Sequence, residues 1–96
     1  SNVPSQGLIL MNDPFVVGQA ALWGKKLLKQ YSDTGPRIQS LYESAFSRPP
    51  SKLEMDATES FLVEQAKLHG VSADHELPWK DLAHAIINTK EFIFLN

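Results

Sequence analysis

Apolar residues recur along the chain at helical spacing. From Pro14 to about Tyr31, Val16, Ala20, Trp23, Leu27 and Tyr31 fall three or four residues apart, and Val17, Ala21 and Leu28 widen the stripe. Lys25, Lys26 and Lys29 fall outside it, as the solvated flank of such a helix requires. Asp13 is a good N-cap, and Pro14 suits the first helical position, where an N–H would lack a partner anyway. Gly18 and Gly24 interrupt this element at a cost of up to ~1 kcal/mol each relative to alanine, which points to close helix contacts at both.

Ser32-Asp33-Thr34-Gly35-Pro36 reads as a turn. A second helix over Arg37 to Ser47 has the cleanest pattern, with Ile38, Leu41, Tyr42, Ala45 and Phe46 at i, i+3, i+4, i+7 and i+8. Pro49-Pro50 ends it, because a residue before proline avoids helical geometry. Ser51-Lys52-Leu53-Glu54 is a capping box opening a third helix, which runs to about His69 with Gly70 as its C-cap. This helix carries two apolar stripes, one of Leu53, Ala57, Phe61 and Leu68, the other of Met55, Leu62 and Ala66. A central bundle helix needs both, and so does an outer helix that docks onto something else; the pattern leaves both open.

After a polar loop over Val71 to Leu77, Pro78 can start a last helix on which Trp79, Leu82, Ala83, Ile86 and Ile87 share a face. The tail Glu91-Phe92-Ile93-Phe94-Leu95 is too apolar for water and is expected to fold back onto the bundle, helical first and extended at its end. At the other terminus, Pro4 to Met11 is expected to form a short helix of one or two turns. The fold expected is all-α, a small antiparallel bundle of four main helices plus the short N-terminal helix and a packed-back tail.

Composition narrows the function classes. The chain has 96 residues, 43% hydrophobic and 21% charged, enough for one modest core. Net charge is −2 with the basic residues scattered, so the concentrated basic face that nucleic acid requires is absent. There is no cysteine, which excludes disulfides, thiolate ligands, thiol nucleophiles and covalent haem attachment within these residues. No apolar run reaches the ~18 residues of a membrane span. Ser1-Asn2 reads as a scar of tag removal, which makes residues 3–96 a single domain, the C-terminal fragment of a larger protein.

Catalytic patterns fail on inventory. No two of His69, His75 and His84 are three or four residues apart on a helix, no serine lies in a Gly-x-Ser-x-Gly elbow, and no glycine-rich phosphate loop occurs. His69 and His75 flank a loop and, with Asp74 and Glu76, make a weak candidate for a divalent ion; solvated loop residues are the simpler reading. His84, with Asp81 one turn before it and Trp79 nearby, is a weak ligand-pocket candidate against the simpler reading of a boundary histidine. Trp23, Tyr42, Phe46, Phe61, Trp79 and Phe92 read as core; a sugar-binding platform would need one tryptophan exposed. Arg48 follows a helix at a rigid Pro-Pro corner and Glu91 precedes an apolar tail, so a guanidinium–carboxylate fork between them is expected to pin the tail. No catalytic, cofactor-binding or metal-binding residue is assigned.

Four blocks, Val3 to Leu8, Met11 to Val16, Leu41 to Ser51 and Trp79 to Phe92, together resemble the C-terminal domain, of unknown function, of large planctomycete-type proteins. Ser47 and Gly7 stand where the resemblance leads one to expect Gly and Ala. Members of that family carry a signal peptide, a cytochrome-c-like domain and another uncharacterised domain ahead of this one. The resemblance therefore implies export to the periplasm or cell envelope, and a parent whose haem, where held, belongs to the cytochrome-like domain. The leading expectation is a non-catalytic structural or interaction module packing against upstream domains of its parent or an envelope protein. The alternative is an accessory part of an enzyme, a haem-linked oxidoreductase or a polysaccharide-acting protein, whose active site lies mainly elsewhere. A sugar ligand is a third reading.

Overall fold

The computed structural model describes residues 13–95, and the side chains of residues 13–89. Four helices follow one another: α1 (Pro14–Gln30), α2 (Thr34–Phe46), α3 (Lys52–His69) and α4 (Glu76–Leu95). No strand occurs among the described residues, and the all-α bundle of four main helices is the architecture formed. The short N-terminal helix expected over Pro4 to Met11 lies outside the described residues.

Each helix end has a local cause. The Phe15 N–H donates to Asp13 Oδ1 at 2.7 Å, and Pro14 opens α1. The capping box of α3 forms as read from the sequence: the Glu54 N–H donates to Ser51 Oγ, and the Ser51 N–H to Glu54 Oε1. Gly70 closes α3 at φ 68°, with the Val71 N–H donating back to the Ala66 carbonyl. Two starts differ from expectation. α2 begins at Thr34 rather than Arg37, and α4 at Glu76 rather than Pro78. In both cases the proline sits in the first turn, where it removes no intrahelical hydrogen bond. The extended end expected for the C-terminal tail does not form: α4 continues to Leu95.

The core is built from one face of each helix. Leu27 of α1, Ile38, Leu41, Tyr42 and Ala45 of α2, Leu62 of α3, and Trp79, Leu82 and Ile86 of α4 form one buried cluster. Trp23, Phe46, Met55 and Phe61 pack half-buried against it. Inside it the Tyr42 hydroxyl meets Thr58 Oγ1 at 3.3 Å, so two buried polar groups satisfy each other. Tyr31 leaves the α1 stripe; it is the C-cap residue and is exposed.

α1 and α4 pack most closely, and Gly24 is the reason. A Cβ at position 24 would stand 2.9 Å from the Lys80 nitrogen and 3.0 Å from the Trp79 carbonyl carbon, so only glycine permits this backbone approach. Gly18 corrects the parallel expectation. Among the described residues a Cβ there would meet nothing within 4 Å, so none of them makes a close contact that requires glycine.

Candidate functional site

Of the weak ligand-pocket candidates His84, Asp81 and Trp79, the last two are engaged in other contacts among the described residues. Trp79 is 0% exposed, with its indole N–H donating to the Ala73 carbonyl at 2.9 Å. Asp81 faces α3 and meets His69 Nε2 at 2.6 Å. His84 is half-buried on α4, and Asn88 one turn on keeps a buried Oδ1 without a hydrogen-bond partner among the described residues. The loop candidates for a divalent ion disperse. His69 goes to Asp81, Asp74 to Arg37, and His75 Nδ1 accepts the Leu77 N–H at the start of α4. Among the described residues no group of three or more ligand-type side chains converges.

The Glu91 side chain lies outside the described residues, and with it the expected Arg48–Glu91 fork. The Arg48 guanidinium makes its two-point fork with Glu54, at 2.6 and 2.8 Å, across the Pro49-Pro50 corner. It also sits 5.8 Å from the Tyr42 ring centroid and 5.7 Å from that of Phe46. Glu54 thereby serves two purposes, capping α3 and holding Arg48. The Arg48 hydrogen bonds, followed by the Ser51 N–H, hold its carboxyl well below the usual carboxylate range, at about 2.

The residue that sequence reading passed over is Arg37. It is 5% exposed, in the first turn of α2. Its Nε donates to the Tyr31 carbonyl at 2.8 Å, a terminal group of α1 that helix geometry leaves unsatisfied. Its terminal nitrogen donates to Asp74 at 2.9 Å, and the guanidinium lies 5.5 Å from the Trp79 ring centroid. The loop before α4 places these partners: the Asp74 N–H donates to Ser72 Oγ and the His75 N–H to the Ser72 carbonyl, a tight turn that presents Asp74 outward and the Ala73 carbonyl inward. A buried arginine needs this many partners. The only available hint was its position after Gly35-Pro36, one residue from Ile38 on the apolar face.

Neither tryptophan is exposed, as the core reading requires, so the alternative of a tryptophan sugar platform lacks its exposed ring: Trp79 is buried and Trp23 packs half-buried on the core. The surface does carry an open depression of about 400 Å³ between the end of α1 and the outer face of α2, lined by Tyr31, Pro36, Gln39, Ser40, Glu43 and Ser44.

The two apolar stripes of α3 have different fates. Thr58, Leu62 and Ala66 are buried, whereas Leu53 is 79% and Leu68 76% exposed, with Ala57 exposed between them. At 3.6 residues per turn the exposed stripe lies about 150° around the helix from the buried one. Phe61 turns back toward the core. Phe15 and Leu22, two turns apart on α1, are also exposed. Among the described residues no helix is long and apolar enough to cross a membrane.

The chain matches no curated protein and no solved structure. The model of one family, described as "PSD1: Protein of unknown function (DUF1553)", matches residues 1–62, a stretch running from the N-terminus into α3; the block from Trp79 to Phe92 lies beyond it. With nearly two thirds of its length matched, the chain belongs to this PSD1 family of proteins of unknown function.

Proposed function

We propose that this chain is a non-catalytic helical docking module of a larger exported protein, and that its occupant is the polypeptide upstream of it in the same parent. The observation that carries the reading is the outer stripe of α3, where Leu53 and Leu68 stand almost fully in solvent opposite the face that builds the core. Leu53, Ala57 and Leu68 share that outward face, and an amphipathic helix with apolar positions on the side away from its core is suited to pack against a second partner. The polar chemistry supports the same reading. Arg37, Arg48, His69 and their carboxylate partners are each committed to joining one helix or loop to the next.

Export to the periplasm or cell envelope and a cytochrome-like domain ahead of this one follow from the family resemblance and belong to the proposal. Haem would be held by that upstream domain. A deep pocket joining His84, Asp81 and a tryptophan would favour the accessory-enzyme alternative; among the described residues Asp81 and Trp79 make other contacts. The test is the solution mass of the chain by light scattering, alone and mixed with the upstream part of its parent. Formation of a one-to-one complex supports docking; two non-interacting species overturn it.

A further inference from the structure

We infer that the depression between the end of α1 and the outer face of α2 is a binding site for a neutral carbohydrate. Its volume of about 400 Å³ falls at the lower end of the range for small-molecule sites, roughly 300–1,000 Å³. Its lining is not that of a site for an apolar ligand, because four of the six lining residues, Gln39, Ser40, Glu43 and Ser44, are polar. They occupy two adjacent rows on the side of α2 opposite Ile38, Leu41 and Ala45, and three of them are exposed. Amide, hydroxyl and carboxylate groups of this kind hold the hydroxyls of a sugar.

The apolar part comes from Tyr31 and Pro36. A pyranose presents a C–H face as well as a polar rim, and a tyrosine, with an apolar body and a polar tip, complements both. Tyr31 is 37% exposed, and its backbone does not drift relative to α2, because the buried Arg37 holds its carbonyl at 2.8 Å. The aromatic residue and the polar rows are therefore set in register before any ligand arrives, which lowers the ordering cost of binding. Glu43 is the charged residue of the lining among the described residues. A carboxylate there repels uronates, sulfated sugars and phosphates, and so disfavours anionic ligands relative to a neutral sugar. The sugar-binding residue is thus a tyrosine rather than either tryptophan, and the site shares no residue with the outer α3 stripe.

The experiment is titration of the isotopically labelled chain with cellotetraose, mannotetraose and chitotetraose, followed by amide chemical shifts, with tetragalacturonate and tetramethylammonium as anionic and cationic controls. The expected result is saturable shifts confined to Tyr31, Arg37–Ser44 and their neighbours with at least one neutral probe. Tyr31→Ala should weaken that binding about tenfold or more and Glu43→Gln several-fold, with helical circular dichroism unchanged because the Arg37 contact uses only the backbone. Four results would overturn the inference: no shift with any neutral probe at roughly ten times a millimolar Kd, shifts elsewhere on the surface, undiminished binding by Tyr31→Ala, or tighter binding of either charged control. Failure here leaves the docking proposal standing, since that depends on Leu53 and Leu68.

Discussion

The guanidinium of Arg37 donates to Asp74 at 2.9 Å, joining the first turn of α2 to the loop that precedes α4. The two partners are unequal. Arg37 is buried, whereas Asp74 is mostly in solvent, so the pair is worth more through what Arg37 does than through charge attraction. Arg37→Ala removes the bond to the Tyr31 carbonyl and the stacking on Trp79 together, and should cost about 2–4 kcal/mol. Asp74→Ala leaves those contacts intact and should cost about 1 kcal/mol. Arg37→Lys should recover little, because an ammonium cannot reproduce the guanidinium's planar fork. Urea unfolding of the three variants checks the order.

Two glycines of one helix should respond in opposite directions. Gly24→Ala puts a methyl group against the backbone of Trp79 and Lys80, which cannot swing aside, and should destabilise by about 1–3 kcal/mol despite the better helix propensity. Gly18→Ala meets no atom within 4 Å among the described residues and should stabilise by roughly 0.5–1 kcal/mol. Thermal melts of both variants measure this directly.

Ser47 ends α2 in the left-handed region, at φ 59° and ψ 31°. A side chain there is strained where glycine is not. The glycine that the family resemblance leads one to expect at position 47 is therefore the residue the backbone prefers. Ser47→Gly should raise stability by about 0.5–1 kcal/mol in denaturant unfolding, after the larger entropy of glycine in the unfolded chain is counted.

The Arg48–Glu54 fork predicts an acid-sensitive corner. The Glu54 carboxyl titrates at about 2 in the folded chain, below its ordinary value, so folding favours the ionised form. Its contribution is complete above about pH 5 and is lost as pH falls through the folded value. Melting temperature measured from pH 7 to pH 2 should show the wild type more stable than Glu54→Gln at neutral pH, with the difference closing in acid. Added salt should shrink the neutral-pH difference, since the pair is exposed to solvent.

The four helices were legible because each apolar face repeats at helical spacing and each end carries a cap that acts locally, Asp13 and Ser51 above all. The α2 and α4 starts were misread because proline in a first turn looks the same in sequence as proline before a helix. Arg37 was missed for a different reason. Its partners lie in a preceding C-cap carbonyl and in a loop 37 residues away, and no local pattern announces such a convergence. Asp81 pairs across helices with His69 rather than along α4 for the same reason. The sugar-binding inference likewise depends on Tyr31 leaving the α1 stripe, which only its role as C-cap reveals.

If the outer stripe of α3 docks the upstream part of the parent polypeptide, Leu53 and Leu68 carry that contact. The most direct measurement is light scattering of a mixture of this chain with that upstream part, repeated with the double substitution Leu53→Glu and Leu68→Glu. Both leucines are exposed and lie outside the buried core, so the variant should keep its circular dichroism. A docking face gives a one-to-one complex with the wild-type chain and a loss of affinity of about tenfold or more in the variant. A wild-type chain that stays monomeric in the mixture, or a complex that forms equally well without the two leucines, would contradict it.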